Sequence, residues 1–339
     1  MEHWINYSKD DPPPTKKEKE FIIHIKEVTA KHNIDNVTRT NAYWDFFSKH
    51  PEVHWSFLAH MVSRNGGWNM TDLKGSIVPN FLPYNQASIF FSFLEKANFL
   101  IFHDAYPQLL LYGQSKQDNK SLFHLLPSFG VSSFMKPIWT LFLKHKSSEM
   151  LTYALIINEQ SYLEQRVIQN PFYQAHVMQT ISFAIQERLG LTNVVFPYRN
   201  EISSRLAGVT VTQFSNIEAR VHVGKKLYNI LFQNEKVFAG ATQFAQKVTH
   251  SGSRSDYLPE IFSSSKITGK IHSPTLHNAW KTYTHPTPKL KDWFHKDLAI
   301  LQLFNQIEAV HEYDITNSYM QNLLKLTSLG KIKDLLEKI

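Results

Sequence analysis

Cysteine is absent from all 339 residues. That absence excludes disulfides, thiolate catalysis and Cys-ligated zinc or iron–sulfur centres, and it suits a reducing compartment, so a cytoplasmic protein is expected. Glycine is scarce, with 12 residues, which disfavours the many tight turns of a β-sandwich or barrel. A membrane span needs about 20 mostly apolar residues without central charge. The greasiest stretch, 87–102, is cut by Glu95 and Lys96 and reads as a buried core helix. The first residues, Met1-Glu2-His3-Trp4-Ile5-Asn6-Tyr7, lack a basic segment followed by an apolar one, so no signal peptide is expected. Several motifs are missing too: no Gly-x-Ser-x-Gly elbow, no Gly-x-Gly-x-x-Gly fingerprint, no P-loop and no His-Glu-x-x-His.

What remains is aromatic and helix-favouring. There are 24 Phe, 14 Tyr and 7 Trp, and 42% hydrophobic against 19% charged residues, enough to build a substantial core. The formal net charge of +7 is compatible with an anionic ligand or nucleic acid as partner and does not demand one. The 17 His residues gain charge as pH falls through their ordinary value near ~6.5.

Periodicity and punctuation predict an all-α fold: a single globular multi-helix domain of about a dozen helices over 21–339, preceded by a flexible arm at 1–20. Asp10-Asp11-Pro12-Pro13-Pro14 keeps the arm extended, and Lys16-Lys17-Glu18-Lys19-Glu20 opens a charged helix. Thr40 is expected to cap a helix at 41–49, Pro51 to open one at 52–64, and Gly66-Gly67 to end it. Further helices are expected at 86–104, from Pro107 to Gly113, and at 134–146, 149–168, 172–189, 201–207, 214–233 and 235–248. Val194–Tyr198 reads as a short extended piece without a partner, 250–290 as a long irregular stretch, and 292–311 and 315–337 as two final helices.

Three segments carry candidate chemistry. On the 52–64 helix, His60 and Arg64 lie one turn apart, and the turn beyond supplies Asn65, Asn69 and Asp72; together they suit an anion or carboxylate pocket. The alternative is a solvated face with a capped turn, and His54 falls on the apolar side as a core histidine. On 214–233, Glu218 and His222 are spaced to act as an acid–base pair or to share a metal, although a second His one turn away is missing. An intrahelical ion pair explains the same spacing. In His250-Ser251-Gly252-Ser253-Arg254-Ser255-Asp256-Tyr257, Arg254 offers a fork for phosphate or carboxylate, and Arg254 with Asp256 equally suits a loop-locking pair. Asn158-Glu159-Gln160 interrupts an apolar run and reads as a satisfied buried network.

These segments resemble an uncharacterised family of bacillar proteins, the YppC-like proteins. The resemblance rests on His60–Gly75, Asp104–Tyr112, Arg220–Lys225 and Gly252–Tyr257. It implies a bacterial cytosolic setting and carries over no activity, cofactor or catalytic residue. Two functions follow from the residues. One is a binding protein that holds a partner, anionic in one version, through Arg64, Asn65, Asn69, Arg254 and Asp256. The other is a hydrolase-like enzyme in which His60, Asp72, Glu218 and His222 do the chemistry. Cofactor and metal are unassigned by sequence.

Overall fold

Helix α1, Lys16–His32, starts where Thr15 and Glu18 exchange bonds: the Glu18 N–H donates to the Thr15 hydroxyl, and the Thr15 N–H donates to Glu18 at 2.8 Å. Residues 16–20, at the end of the expected arm, form the first turns of this helix, as their charged sequence predicts. The computed structural model describes residues 12–80, 82, 84–180, 193–199, 204–211, 213–286, 288 and 291–336, so the rest of the expected arm, at 1–11, lies outside the described residues.

Helix α2, Asn36–Lys49, is capped by Asp35 rather than by Thr40. Thr40 sits inside the helix, its hydroxyl 2.6 Å from the Ser63 hydroxyl. Helix α3, His54–Asp72, runs straight through Gly66-Gly67, which corrects the expected stop. The glycines serve close approach instead. A methyl group on Gly67 would lie 2.5 Å from Asn36 Oδ1 and 2.8 Å from the His250 ring. Helix α4, Tyr84–Gln117, likewise continues through Pro107 and Gly113, where two shorter helices were expected. Proline removes one backbone bond at a cost of about 3 kcal/mol. Burial of Leu100, Phe102, Leu109, Leu111 and Tyr112 along α4 offsets it.

Helix α5, Met135–His145, and α6, Ser148–Leu163, match expectation, and α6 ends in a π-helical turn, Glu164–Ile168. Asn170 caps the short α7, Pro171–Tyr173, which also passes into a π turn, Gln174–Met178. The remainder of the expected 172–189 helix falls largely on 181–192, outside the described residues.

The expected helix at 201–207 is corrected to a strand over its described part. Strand β1, Asn193–Arg199, pairs antiparallel with β2, Ser204–Thr210, placing Val195 opposite Gly208. Gly208 is required there, since a methyl group would lie 2.0 Å from the Val194 carbonyl oxygen. The Gly208 N–H donates to Tyr313 O at 2.8 Å and Ile315 N–H to Leu206 O at 2.9 Å, so the chain before the last helix covers the hairpin edge. Helix α8, Ile217–Phe232, and α9, Glu235–Lys247, are capped by Asn216 and Asn234.

The irregular stretch holds one short parallel pair, β3, Phe262–Ser263, with β4, Ile271–His272, and a single turn, α10, Leu276–Ala279. The expected helix at 292–311 is corrected as well. That segment is a strap with one 3-10 run, Leu298–Phe304. Side chains hold it across the core: Asp292 accepts from Ser132, Ser133 and the Phe294 N–H, and Trp293 Nε1 donates to Asn158 at 2.9 Å. Helix α11, Thr316–Leu336, closes the described chain. The protein is all-α, with two minor sheets among the described residues; most buried apolar residues between Ile22 and Trp293 form one main core, with smaller clusters around Trp68 and Ile77. Among the described residues no helix is long and apolar enough to cross a membrane.

Candidate functional site

The structure brings two of the three expected segments together. α3 meets the 250–256 loop along a buried seam. His60 Nδ1 lies 2.8 Å from the Thr40 carbonyl, which fixes Nδ1–H as the donor and leaves Nε2 to accept from Arg64 Nη1 at 3.5 Å. Burial first, then the charge of Arg64, holds the His60 pKa well below its usual value, so the ring is neutral. Arg64 Nη2 donates to Val248 O at 2.8 Å, and its guanidinium lies over Phe244 at 4.6 Å. Asn65 acts as a strand partner: its Nδ2 donates to Val195 O at 3.0 Å and its Oδ1 accepts the Val195 N–H at 2.9 Å. Asn69 is half-buried on the same helix.

His250 Nε2 donates to Asn36 Oδ1 at 2.8 Å, and Asn36 Nδ2 passes the chain on to Ser63. Asp256 accepts from the Ser251 N–H at 2.8 Å and hydroxyl at 2.7 Å. Arg254 pairs with Asp72 rather than Asp256, at 2.6 Å, and also donates to the Tyr319 hydroxyl of α11. Burial opposes the Arg254 charge, but Asp72 and Tyr319 outweigh it and raise the pKa. In this seam the polar atoms mostly bind one another, and the open space beside it is about 20 Å³.

Glu218 and His222 lie elsewhere, exposed on α8. Among the described residues no hydrogen bond or ion pair joins them to each other or to the seam. Among the described residues, too, no group of three or more His, Asp or Glu is placed to hold a metal ion.

The stronger site lies where the sequence showed only a polar break. A cavity of about 200 Å³ opens between α2, α3, α6 and α8. Leu58, Ala59 and Val62 of α3, Ile156 of α6 and Val223 of α8 make its apolar walls, and Tyr43, Trp55 and Phe214 its aromatic ones. Glu159 contributes a carboxyl that accepts from Gln160 Nε2 at 3.0 Å and from Trp55. Burial, with the charge of Asp104 adding to it, pushes Glu159 up to about 7.

Two arginines line the same cavity, and each is neutralised by its own carboxylate. Arg39 pairs with Glu95 at 2.5 Å, both fully buried. Arg220 pairs with Glu164 and donates to Gln160 Oε1 and Phe214 O, both at 2.8 Å. Glu159 has no cation within ion-pair distance among the described residues. Behind it lies a second raised carboxyl: burial pushes Asp104 up to about 7, although Asn158 donates at 2.6 Å and Gln108 at 2.8 Å.

The sequence signal for this site was the Asn158-Glu159-Gln160 interruption in an otherwise apolar helix. Gly224 added a second, unread signal. A methyl group there would lie 2.8 Å from Ile156 Cγ2, so the glycine lets α8 close against α6 at the cavity wall. Arg39, Glu95 and Arg220 lacked any local pattern, since their partners are 56 positions away.

Comparison with known proteins agrees with the resemblance read from sequence. The chain is 40% identical over 321 residues to the "Uncharacterized protein YppC" of Bacillus subtilis (strain 168), covering 94% of this chain and 97% of that protein. No solved structure matches it. Residues 31–325 match the family described as "Protein of unknown function (DUF2515)", and this chain is a member of that family.

Proposed function

We propose that this protein binds a small organic amine with an apolar body, seated in the cavity between α3, α6 and α8 with its cationic end on Glu159. The observation that carries this reading is a carboxyl without a cationic partner, facing a largely apolar cavity. Apolar pockets with a few convergent polar groups are the usual form of a ligand site. Aromatic faces at Tyr43, Trp55 and Phe214 add favourable contacts for a cation. A pocket of about 150 Å³ accommodates benzene, so an arylmethylamine fits the size. In this reading Arg64, Asn65, Arg254 and Asp256 fasten α3, the hairpin, the 250–256 loop and α11 together and do not contact ligand.

The test is calorimetric titration with benzylamine, benzyl alcohol and benzoate. Benzylamine is expected to bind at least tenfold more tightly than the other two, and Glu159→Gln to erase that preference. Equal binding of amine and alcohol, or an unchanged preference in the variant, would refute the proposal. A carboxyl poised near neutral pH also favours a second reading, in which Glu159 acts as a general base on the bound molecule. That reading replaces Glu218 and His222 with Glu159 in the hydrolase-like alternative, and it requires chemical turnover of a ligand that Glu159→Gln still binds.

A further inference from the structure

We propose a second ligand site of opposite charge, a groove between α1, α4 and the 282–286 segment that takes a carboxylate or phosphate carried on an apolar body. The groove has a volume of about 570 Å³, and its described lining includes Lys26, His103 and His285 but no acidic side chain. Lys96 flanks it, lying 5.3 Å over the ring of Phe99, and Phe99 lines the groove. Neither Lys26 nor Lys96 has a carboxylate within ion-pair distance among the described residues.

Two buried polar atoms of the lining have no hydrogen-bond partner: Thr29 Oγ1 and His103 Nδ1. Thr29 is 5% exposed. Leaving such groups unpaired is unfavourable, and an anion carried into the groove brings oxygens able to accept from them. Glu95, which lies 3.4 Å from His285 of the lining, is already paired with Arg39 at 2.5 Å, so its charge is spent. His285 also stacks on Phe99, with centroids 4.2 Å apart, and Tyr283 packs 4.8 Å from His285. These rings supply the flat apolar wall that selects an aromatic or aliphatic body over a bare ion.

The experiment is titration of the full chain with phenyl phosphate, with inorganic phosphate, benzyl alcohol and vesicles of anionic phospholipid alongside. Phenyl phosphate is expected to bind at least tenfold more tightly than either fragment. The exposed Lys26→Glu change should weaken it about tenfold, Lys96→Gln about fivefold and the shape-conserving Thr29→Val two- to threefold. Glu159→Gln should leave it unchanged, which separates this site from the interior cavity. Far-ultraviolet circular dichroism and an unfolding midpoint confirm that each variant is folded. Absence of phenyl phosphate binding, indifference to both lysine changes, loss of binding in Glu159→Gln, or preference for vesicles would each overturn the proposal.

Discussion

Replacing Gly67 with alanine separates two readings of the Gly66-Gly67 pair. If the pair ended a helix, alanine would lose a left-handed cap. If it were ordinary helix interior, alanine would gain roughly 0.8–1 kcal/mol through backbone entropy. The structure predicts neither. The new methyl would lie 2.5 Å from Asn36 Oδ1 and 2.8 Å from His250, inside the 2.8 Å bond that joins those two side chains. Relief requires Asn36 or His250 to move, which frees a buried donor or acceptor at about 1–3 kcal/mol, and overpacking adds about 1–3 kcal/mol. After the helix gain, Gly67→Ala should destabilise by about 1–5 kcal/mol. Gly66→Ala is the internal control. Its methyl would come no nearer than 3.3 Å, to Asn98 Oδ1, with Asn36 Nδ2 at 3.7 Å, so its cost should stay below about 1 kcal/mol. Urea unfolding followed by tryptophan fluorescence measures both, because Trp68 packs next to the seam. A Gly67→Ala protein as stable as the parent, or a Gly66→Ala protein equally damaged, would refute the close-approach argument.

Other consequences are open to direct measurement. Glu159 binds its proton more tightly folded than unfolded, about 7 against an ordinary 4.5, so stability should fall as pH rises between those values, by roughly 3 kcal/mol at most. Glu159→Gln should flatten that slope in thermal melts taken from pH 5 to 8. His54 is shifted the other way, down to about 4 by burial, against Phe232 at 4.0 Å. Its contribution should be lost as pH drops from 6.5 towards 4, and His54→Phe should hold its melting temperature better than the parent over that range. Asp72→Asn strands Arg254 in the interior and should cost about 3–5 kcal/mol, read as an earlier unfolding midpoint. Arg39→Met should cost a similar amount by leaving the buried Glu95 without its arginine, while Arg39→Met with Glu95→Met should recover most of it; a double variant as unstable as the single would show that the pair is not the cause.

Local signals carried much of the fold. The charged helix start at Lys16–Glu20, Asn170-Pro171, and the apolar spacing of α6, α8 and α9 all lie within a few residues of what they specify. The misreadings share a cause in long-range contact. Gly66-Gly67 and Pro107 look like punctuation until the neighbours that need a bare backbone, or the burial that offsets a lost bond, are known. Arg205-Leu206-Ala207 has helical propensity, yet β2 forms because β1 and the Tyr313–Ile315 segment supply its hydrogen bonds. The 292–311 strap is fixed by Asp292 and Trp293 reaching residues more than 130 positions away. The candidate site was half legible: the polar break at Asn158-Glu159-Gln160 marked a place, and only the packing of α3 and α8 against it made a cavity.

The seam between α3 and the 250–256 loop also bears on how the chain reaches its native state. Asn36 and His250 are separated by 214 positions, Asp72 and Arg254 by 182, and His54 and Tyr228 by 174. Such high contact order slows folding, because loop closure must come before its reward. On the ribosome, α2 and α3 emerge with Arg64 and Asp72 awaiting partners encoded three-quarters of the way along the message. The nascent helices must stay open, or be shielded, until that late loop arrives, and a chain truncated before it should collapse into an aggregation-prone form.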